Sequence, residues 1–407
     1  MKGQSERVKS IPQSVTLTIN SRAKALREAG QSVFNFSAGE PDFPTPPRIC
    51  EAAIRAIREG RTKYTETRGR ADLREAIASR FGMLYGVPFD PDHVVVSCGG
   101  KHALYNLFQV LIDPGDEVIV PTPCWLSYPP QIAVAGGQVV PLPSGIDDRF
   151  QIDPNRLQTL IGPRTKAIVL NSPSNPTGAV YRAKVLRAVA DLALRHDFMV
   201  VSDDLYAPFV YDGKSFVSIL HECPELADRT VLIGGVSKAY AMTGWRLGYA
   251  LGPKPLMTAM ATLQSQSTSN ASSISQAAAL EALTGDGGDE EVAAMVATFE
   301  KRRNVMIERL REIPGIRCAV PEGAFYAFPE ISAYVGTRTP AGSLIQGSLD
   351  LAEYLLEAGI ALVPGIAFGD DHYLRLSYAC DECTIEEGLG RLKTALTHLV
   401  RPNNSIP

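Results

Sequence analysis

The sequence predicts an α/β protein, with a mostly parallel central sheet in a large domain and a smaller α+β domain after it. Three observations carry this expectation. From Asp92 onward, short β-branched runs alternate with helical patterns, the order that builds a parallel sheet with helices on both faces. Each run is almost continuously apolar, as strands buried on both sides require. After about Ser265 the texture changes to Ala-rich helical stretches and then to short strands with helices between them.

Taken in order, the segment Glu40 to Pro47 reads as a linker, because Pro41, Pro44, Pro46 and Pro47 disfavour helix and central strand alike. The first forty residues are then expected to pair with the C-terminal domain. Strands are expected at His93 to Val96, Glu117 to Val120, Ala167 to Leu170, Met199 to Val201 and Val231 to Ile233. Helices at Ser275 to Leu283 and Glu290 to Arg311 lead into strands at Ile316 to Val320, Phe325 to Phe328, Ile360 to Val363 and Tyr373 to Ser377. The expected division is residues 1–45 as an N-terminal arm and part of the small domain, 46–285 as the large domain, and 286–407 as a linking helix and the small domain. In such sheets ligands gather at the carboxyl ends of the strands. Chemistry is expected there.

Composition excludes several classes of function. Lys plus Arg total 40 against 44 Asp plus Glu, a net charge of -4, so no basic excess is available to neutralise a run of phosphates and nucleic acid is not an expected partner. Seven scattered Cys in 407 residues suit a reducing compartment, and the cytoplasm is the expected location. Met1 to Asn20 is too polar for a signal peptide, and no window approaches the roughly 20 apolar residues of a spanning helix. Cys380-Asp381-Glu382-Cys383 is a lone CxxC that reads as helix entry rather than a metal site, and the six His form no metal or triad pattern.

The stretch Gly234-Gly235-Val236-Ser237-Lys238-Ala239-Tyr240-Ala241-Met242-Thr243-Gly244-Trp245-Arg246 places a lysine just past a buried strand amid small residues. Desolvation there lowers an amine's pKa and frees it to attack a carbonyl, and Arg246 supplies a fork for a phosphate. Alone, such a lysine is ordinary surface charge. The stretch, however, resembles the lysine motif of fold-type I pyridoxal-phosphate enzymes, in the version of the class I aminotransferases that includes the bacterial aspartate and prephenate aminotransferases. Ser37-Ala38-Gly39-Glu40-Pro41-Asp42-Phe43, Tyr64-Thr65, Gly99-Gly100-Lys101, Pro114-Gly115-Asp116, Asn171 through Gly178, Ser202-Asp203 with Tyr206, Pro321 through Tyr326 and Arg375-Leu376-Ser377-Tyr378 follow in that family's order. The similarity runs from about Ile11 to the last helix.

The resemblance implies a fold-type I enzyme holding pyridoxal 5'-phosphate, with 46–285 as the cofactor-binding domain. Lys238 matches the lysine that carries the cofactor and moves the proton at the substrate Cα. Asp203 matches the partner of the pyridine nitrogen, and Asn175 and Tyr206 match the pair on the phenolic oxygen. Trp125 matches the aromatic stacked on the ring, although a Trp packed for its area alone is the competing reading. The phosphate is expected where the strand ending at Val96 turns into a helix starting near His102, on the backbone of Gly100 and Lys101 and the side chains of Ser237 and Arg246. Tyr64 matches a residue that reaches across from a second subunit, implying a homodimer with shared sites; otherwise it is a surface tyrosine.

Arg375 matches the arginine that holds the substrate α-carboxylate, with the Gly39 backbone nearby. Lys101 and Thr16 resemble a pair that binds a second carboxylate, which implies aspartate or glutamate and 2-oxo acids as substrates; an exposed helix-start lysine is the alternative. Prephenate conversion to arogenate, or a lyase, cyclase or oxidase on the same fold, are the other readings of the activity. A regulator built on this fold needs an added DNA-binding module, for which the segment before residue 11 leaves no room. Asp204 departs from the family, where Glu commonly follows the pyridine Asp.

Overall fold

The computed structural model describes residues 15–401 together with residues 3, 5, 9 and 11. A helix (Val15–Glu28) and a two-residue strand, β1 (Phe34–Asn35), come first. The buried β-branched runs then form β2 (Val94–Ser97), β3 (Glu117–Thr122), β4 (Gln138–Pro143), β5 (Thr165–Asn171), β6 (Met199–Asp203), β7 (Thr230–Gly235) and β8 (Gly248–Leu251). They make one seven-stranded sheet in the order β2-β8-β7-β6-β5-β3-β4. Only β8 runs antiparallel to its neighbours, so the sheet is mostly parallel. Alternate residues feed two cores: Val200, Ile168 and Leu232 face one layer of helices, and Val201, Val169 and Ile233 face the other.

The remaining strands are short. β9 (Tyr326–Ala327), β10 (Ile360–Ala361), β11 (Val363–Pro364) and β12 (Leu374–Ser377) form a three-stranded antiparallel sheet, β11-β12-β9, and a separate pair in which Phe34 of β1 lies parallel to Ile360 of β10. Phe34 and Asn35 near the N-terminus thus pair with Ile360 and Ala361. A long helix (Gly288–Arg311) connects the two regions.

Several expectations need correction. β4 and β8 were not anticipated, since β4 is an edge strand carrying Pro141 and Pro143 on a partly exposed face and β8 comes just after the stretch read as the lysine motif. Ile316 to Val320 is not a strand: only Arg317 bridges, to Glu330, and Val320 is exposed. Ile360 to Val363 splits between two sheets. The helix after β2 begins at Gly100 and runs to Leu111, so Lys101 lies in its first turn.

The Pro-rich segment is also more than a linker. A helix starts within it (Pro47–Arg58), because a proline in the first turn has no N–H that the helix would use. Ahead of that helix the segment is tied down on two sides. Thr45 Oγ1 donates to the Ala241 carbonyl (2.8 Å) and accepts from Trp245 Nε1 (3.0 Å), while Thr243 Oγ1 donates to Glu40 (2.7 Å). Arg302 on the connecting helix grips Asp42 with both terminal nitrogens (2.7 and 3.0 Å). Loop 39–45 is thereby fixed against the lysine loop. As for CxxC, Asp381 caps the helix Glu382–Thr397 by accepting from Thr384 N at 2.8 Å, which is the helix entry expected. Among the described residues, no helix is long and apolar enough to cross a membrane.

Candidate active site

A cavity of about 880 Å³ opens where β5, β6 and β7 end and the Gly100–Leu111 helix begins, closed from the other side by Gly39, Tyr326 and Arg375. Asn171 and Asp203 end β5 and β6 side by side. Asp203 points into the cavity, 3% exposed, with Oδ2 accepting from the Tyr128 hydroxyl (2.6 Å) and Oδ1 from Leu205 N (3.3 Å). Burial pushes its pKa up to about 6; the Tyr128 hydrogen bond, Leu205 N and the nearby Lys238 charge pull the other way. Among the described residues it has no ion-pair partner. A buried carboxylate so placed favours a cation beside it. Asp204 faces the opposite side of the sheet with Ser202, as strand alternation dictates, and accepts from Ser202 Oγ (2.7 Å) and Tyr85 Oη (2.9 Å). The departure at Asp204 thus lies outside the Asp203 cavity, on a separate one of about 400 Å³.

Lys238 follows β7 and enters the cavity, where Nζ donates to the Gly39 carbonyl and lies 5.9 Å from the Tyr206 and Phe325 ring centroids. Its open surface faces the cavity rather than bulk solvent. Desolvation therefore lowers its pKa to about 8, opposed by Glu40 and assisted by the Arg375 and Arg246 charges. The Gly39 backbone, expected beside Arg375, lines the same cavity, and its carbonyl accepts from the lysine.

The start of the Gly100–Leu111 helix is built for close approach. Gly99 has φ +96°, and a Cβ there would lie 2.7 Å from Arg246 Nη2; a Cβ on Gly248 would lie 2.2 Å from Gly100 N. Helix N–H groups, Ser237 and Arg246 thus converge without intervening side chains, an arrangement suited to an anion. Lys101 is exposed at the rim, its Nζ 4.9 Å over the Trp125 ring; partial desolvation and the Arg246 charge lower its pKa.

Arg375 on β12 is 2% exposed. Nη1 donates to Asn175 Oδ1 (3.1 Å) and Nη2 to the Ser37 carbonyl (2.9 Å), while Nε, although buried, has no partner. With no acidic partner among the described residues, this guanidinium is a ready receptor for a carboxylate. Asn175 is held through its backbone by Asn171 Oδ1 (2.8 Å), and Asn171 Nδ2 reaches the Asp203 carbonyl (3.0 Å). Tyr206 bonds the hydroxyl of Tyr326 at 2.8 Å.

Tyr64 stands apart, 89% exposed, on a loop fixed by Gln264 Nε2 to the Thr67 carbonyl (2.9 Å) and Gln276 Nε2 to Thr65 Oγ1 (3.0 Å). Thr16 lies in the first turn of Val15–Glu28, and its side chain is outside the described residues. Sequence reasoning missed Tyr128 and Tyr326. The first is signalled by its place three residues after Trp125, and the second by its position at the end of the Pro321–Tyr326 motif. Among the described residues, no group of three or more His, Cys, Asp or Glu is placed to hold a metal ion.

A desolvated amine, an uncompensated carboxylate and an uncompensated guanidinium in one cavity define an enzyme for amines or carbonyl compounds that carry a carboxylate. The sequence profile described as aminotransferase class I and II matches residues 31–392. The chain is 46% identical over 390 residues to an aspartate aminotransferase of Geobacillus stearothermophilus, covering 95% of this chain and 97% of the relative. It is 44% identical over 397 residues to an aspartate/prephenate aminotransferase of Nitrosomonas europaea, covering 97% and 99%. It also superposes on the solved aspartate aminotransferase of Thermus thermophilus with maleate at a TM-score of 0.91 and 42% identity, over 97% of this chain and all of that one. The chain belongs to the class I and II aminotransferase family.

Proposed function

We propose that the protein transfers an amino group between aspartate or glutamate and a 2-oxo acid, using pyridoxal 5'-phosphate in a two-half (ping-pong) reaction. The observation that carries this is the single cavity shared by Lys238, Asp203 and Arg375. The residues suit the cofactor: the uncompensated Asp203 matches a protonated ring nitrogen, the glycine-lined helix start matches a phosphate, and the Lys238 amine matches an aldehyde. When bound, pyridoxal phosphate supplies a carbonyl that condenses with amines and a ring that accepts the electrons of the broken Cα–H bond.

In this reading Lys238 holds the cofactor and, once displaced, takes and returns the Cα proton at Nζ. Asp203 keeps the ring nitrogen protonated, supported by Tyr128. Asn175 and Tyr206 donate to the phenolic oxygen, and Trp125 lies against the ring. Gly100 and Lys101 through their backbones, with Ser237 and Arg246, hold the phosphate. Arg375 orients the substrate by its α-carboxylate beside Gly39, and Lys101 with Thr16 meets the second carboxylate. Maleate, bound to the Thermus relative, is itself a dicarboxylate. Prephenate is a second candidate substrate, favoured by the name of the Nitrosomonas relative and by Leu126, Leu349 and Ile366 on the cavity wall. The working unit is a homodimer divided at about residues 45 and 285 within each chain, and its location is the cytoplasm, consistent with seven free cysteines.

A panel of amino donors and oxo acids tests the activity, and Lys101→Ser tests the specificity. Losing a charge-assisted bond costs about 1.5–3 kcal/mol, so kcat/KM for aspartate should fall roughly ten- to hundredfold, and for alanine much less. Equal losses would confine Lys101 to the phosphate cradle.

The shared site is tested by mixing two inactive homodimers, a Tyr64→Ala variant and a Lys238→Ala variant. The exposed Tyr64 side chain is read as completing the phosphate site of the partner subunit. In a heterodimer both defects then fall in one site, and the other is intact. Activity should return on exchange; demonstrated heterodimers without activity would rule out sharing.

A further inference from the structure

Tyr326 makes contact with both the carboxylate-binding and the cofactor-binding halves of the cavity. On β9 it lies opposite Ser377 of β12, which puts Arg375, two residues earlier on the same face, diagonally across from it. The Arg375 guanidinium sits 4.5 Å over the Tyr326 ring. The Tyr326 hydroxyl, fully buried, meets the Tyr206 hydroxyl at 2.8 Å with the two rings edge to face, 5.7 Å apart. It also packs against Gly39, where an added Cβ would lie 3.5 Å from it. Gly39 is the residue whose carbonyl accepts from Lys238.

We propose that Tyr326 is a positioning residue that donates its proton to Tyr206, and so orients and strengthens the Tyr206 hydroxyl as a donor to the oxyanion in the cavity. The inference rests on the reading of Tyr206 as the partner of the cofactor's phenolic oxygen. Either hydroxyl can donate when the pair is considered alone. Once the Tyr206 proton is directed at an oxyanion, its oxygen can only accept from Tyr326, and the direction is set. The Arg375 cation favours the same direction, because it lies directly over the Tyr326 ring and so stabilises the partial negative charge that phenol takes on when it donates. Burial raises both phenols, and the Arg375 charge lowers both. A donor whose own oxygen accepts a hydrogen bond is polarised and donates better.

The test uses the pyridoxal-phosphate-loaded protein and reads the pH midpoint of its visible absorption change. A donor to the phenolic oxygen stabilises most the form in which that oxygen's charge is not offset by a neighbouring N–H, so weakening it raises the midpoint. Tyr206→Phe should raise it. Tyr326→Phe should raise it by roughly half a pH unit to one unit, and the double variant should match Tyr206→Phe alone. Tyr326→Phe removes one oxygen and keeps the ring beneath Arg375; Tyr326→Met, which also lacks the hydroxyl, gives a second reading if the first does not fold. An unchanged midpoint in the Tyr326 variants, or an additive shift in the double variant, overturns the inference while leaving the Tyr206 reading intact. An unchanged midpoint in Tyr206→Phe overturns that reading and the inference with it.

Discussion

Replacing Lys238 with alanine should cut turnover by roughly four orders of magnitude or more, because one substitution removes both the amine that captures the cofactor and the base that moves the Cα proton. Borohydride reduction of the wild-type holoenzyme followed by peptide mapping should find the pyridoxyl group on Lys238, and the variant should carry none. The pH dependence gives an independent reading. Burial lowers the Lys238 pKa from 10.5 to about 8, so the neutral amine accumulates at lower pH than on an exposed lysine. Capture of pyridoxal phosphate by the apo protein should therefore accelerate as pH rises through about 8 and level off above it. A rate that climbs steadily toward pH 10.5, or a label on another lysine, would reject the assignment.

What the sequence revealed of this site depended on how far each signal lies from its partner along the chain. Asp203 and Lys238 stood out through motifs that resemble the family's, each placed after a buried β-branched run, and the end of such a strand is where a parallel sheet presents its chemistry. Asn175 and Arg375 belong to motifs and fall into the same cavity, 200 residues apart yet 3.1 Å in contact. Tyr128 and Tyr326 lay next to or within legible motifs, but nothing local indicated what their hydroxyls meet. Their partners lie 75 and 120 residues away, and a buried tyrosine reads as core until the fold reveals what its hydroxyl meets. In the fold, β2, β3, β5, β6 and β7 were legible because each carries an unbroken apolar run. β4 was not, because as an edge strand it leaves part of each face to water and carries two prolines. Ile316 to Val320 imitated a strand by composition alone; without neighbours on both sides, β-branched residues do not specify pairing.

Asp203→Asn should separate stability from catalysis at a single residue. In the apo protein Asp203 is a buried carboxylate whose pKa has risen from 3.8 to about 6, so the folded state binds a proton more tightly than the unfolded one. The sign follows: below 3.8 the group costs nothing, between 3.8 and about 6 the cost grows, and above about 6 it is complete, at roughly 3 kcal/mol. Asparagine carries no charge and fits the same contacts, with Oδ1 accepting from Leu205 N and Nδ2 donating to the Tyr128 oxygen, which can accept as well as donate. The apo variant should therefore melt a few degrees above wild type at pH 8, with the gap narrowing toward pH 5. Turnover should move the other way. Without a fixed anion to keep the ring nitrogen protonated, kcat should fall roughly a hundred- to a thousandfold, the usual cost of losing one preorganised electrostatic contact. Cofactor binding should also raise the melting temperature of the variant less than that of wild type, since a cation beside Asp203 offsets the burial cost only where the carboxylate is present. Wild-type turnover in the variant would remove Asp203 from the mechanism, whereas an unchanged apo melting temperature at pH 8 would mean that its charge is already balanced within the protein.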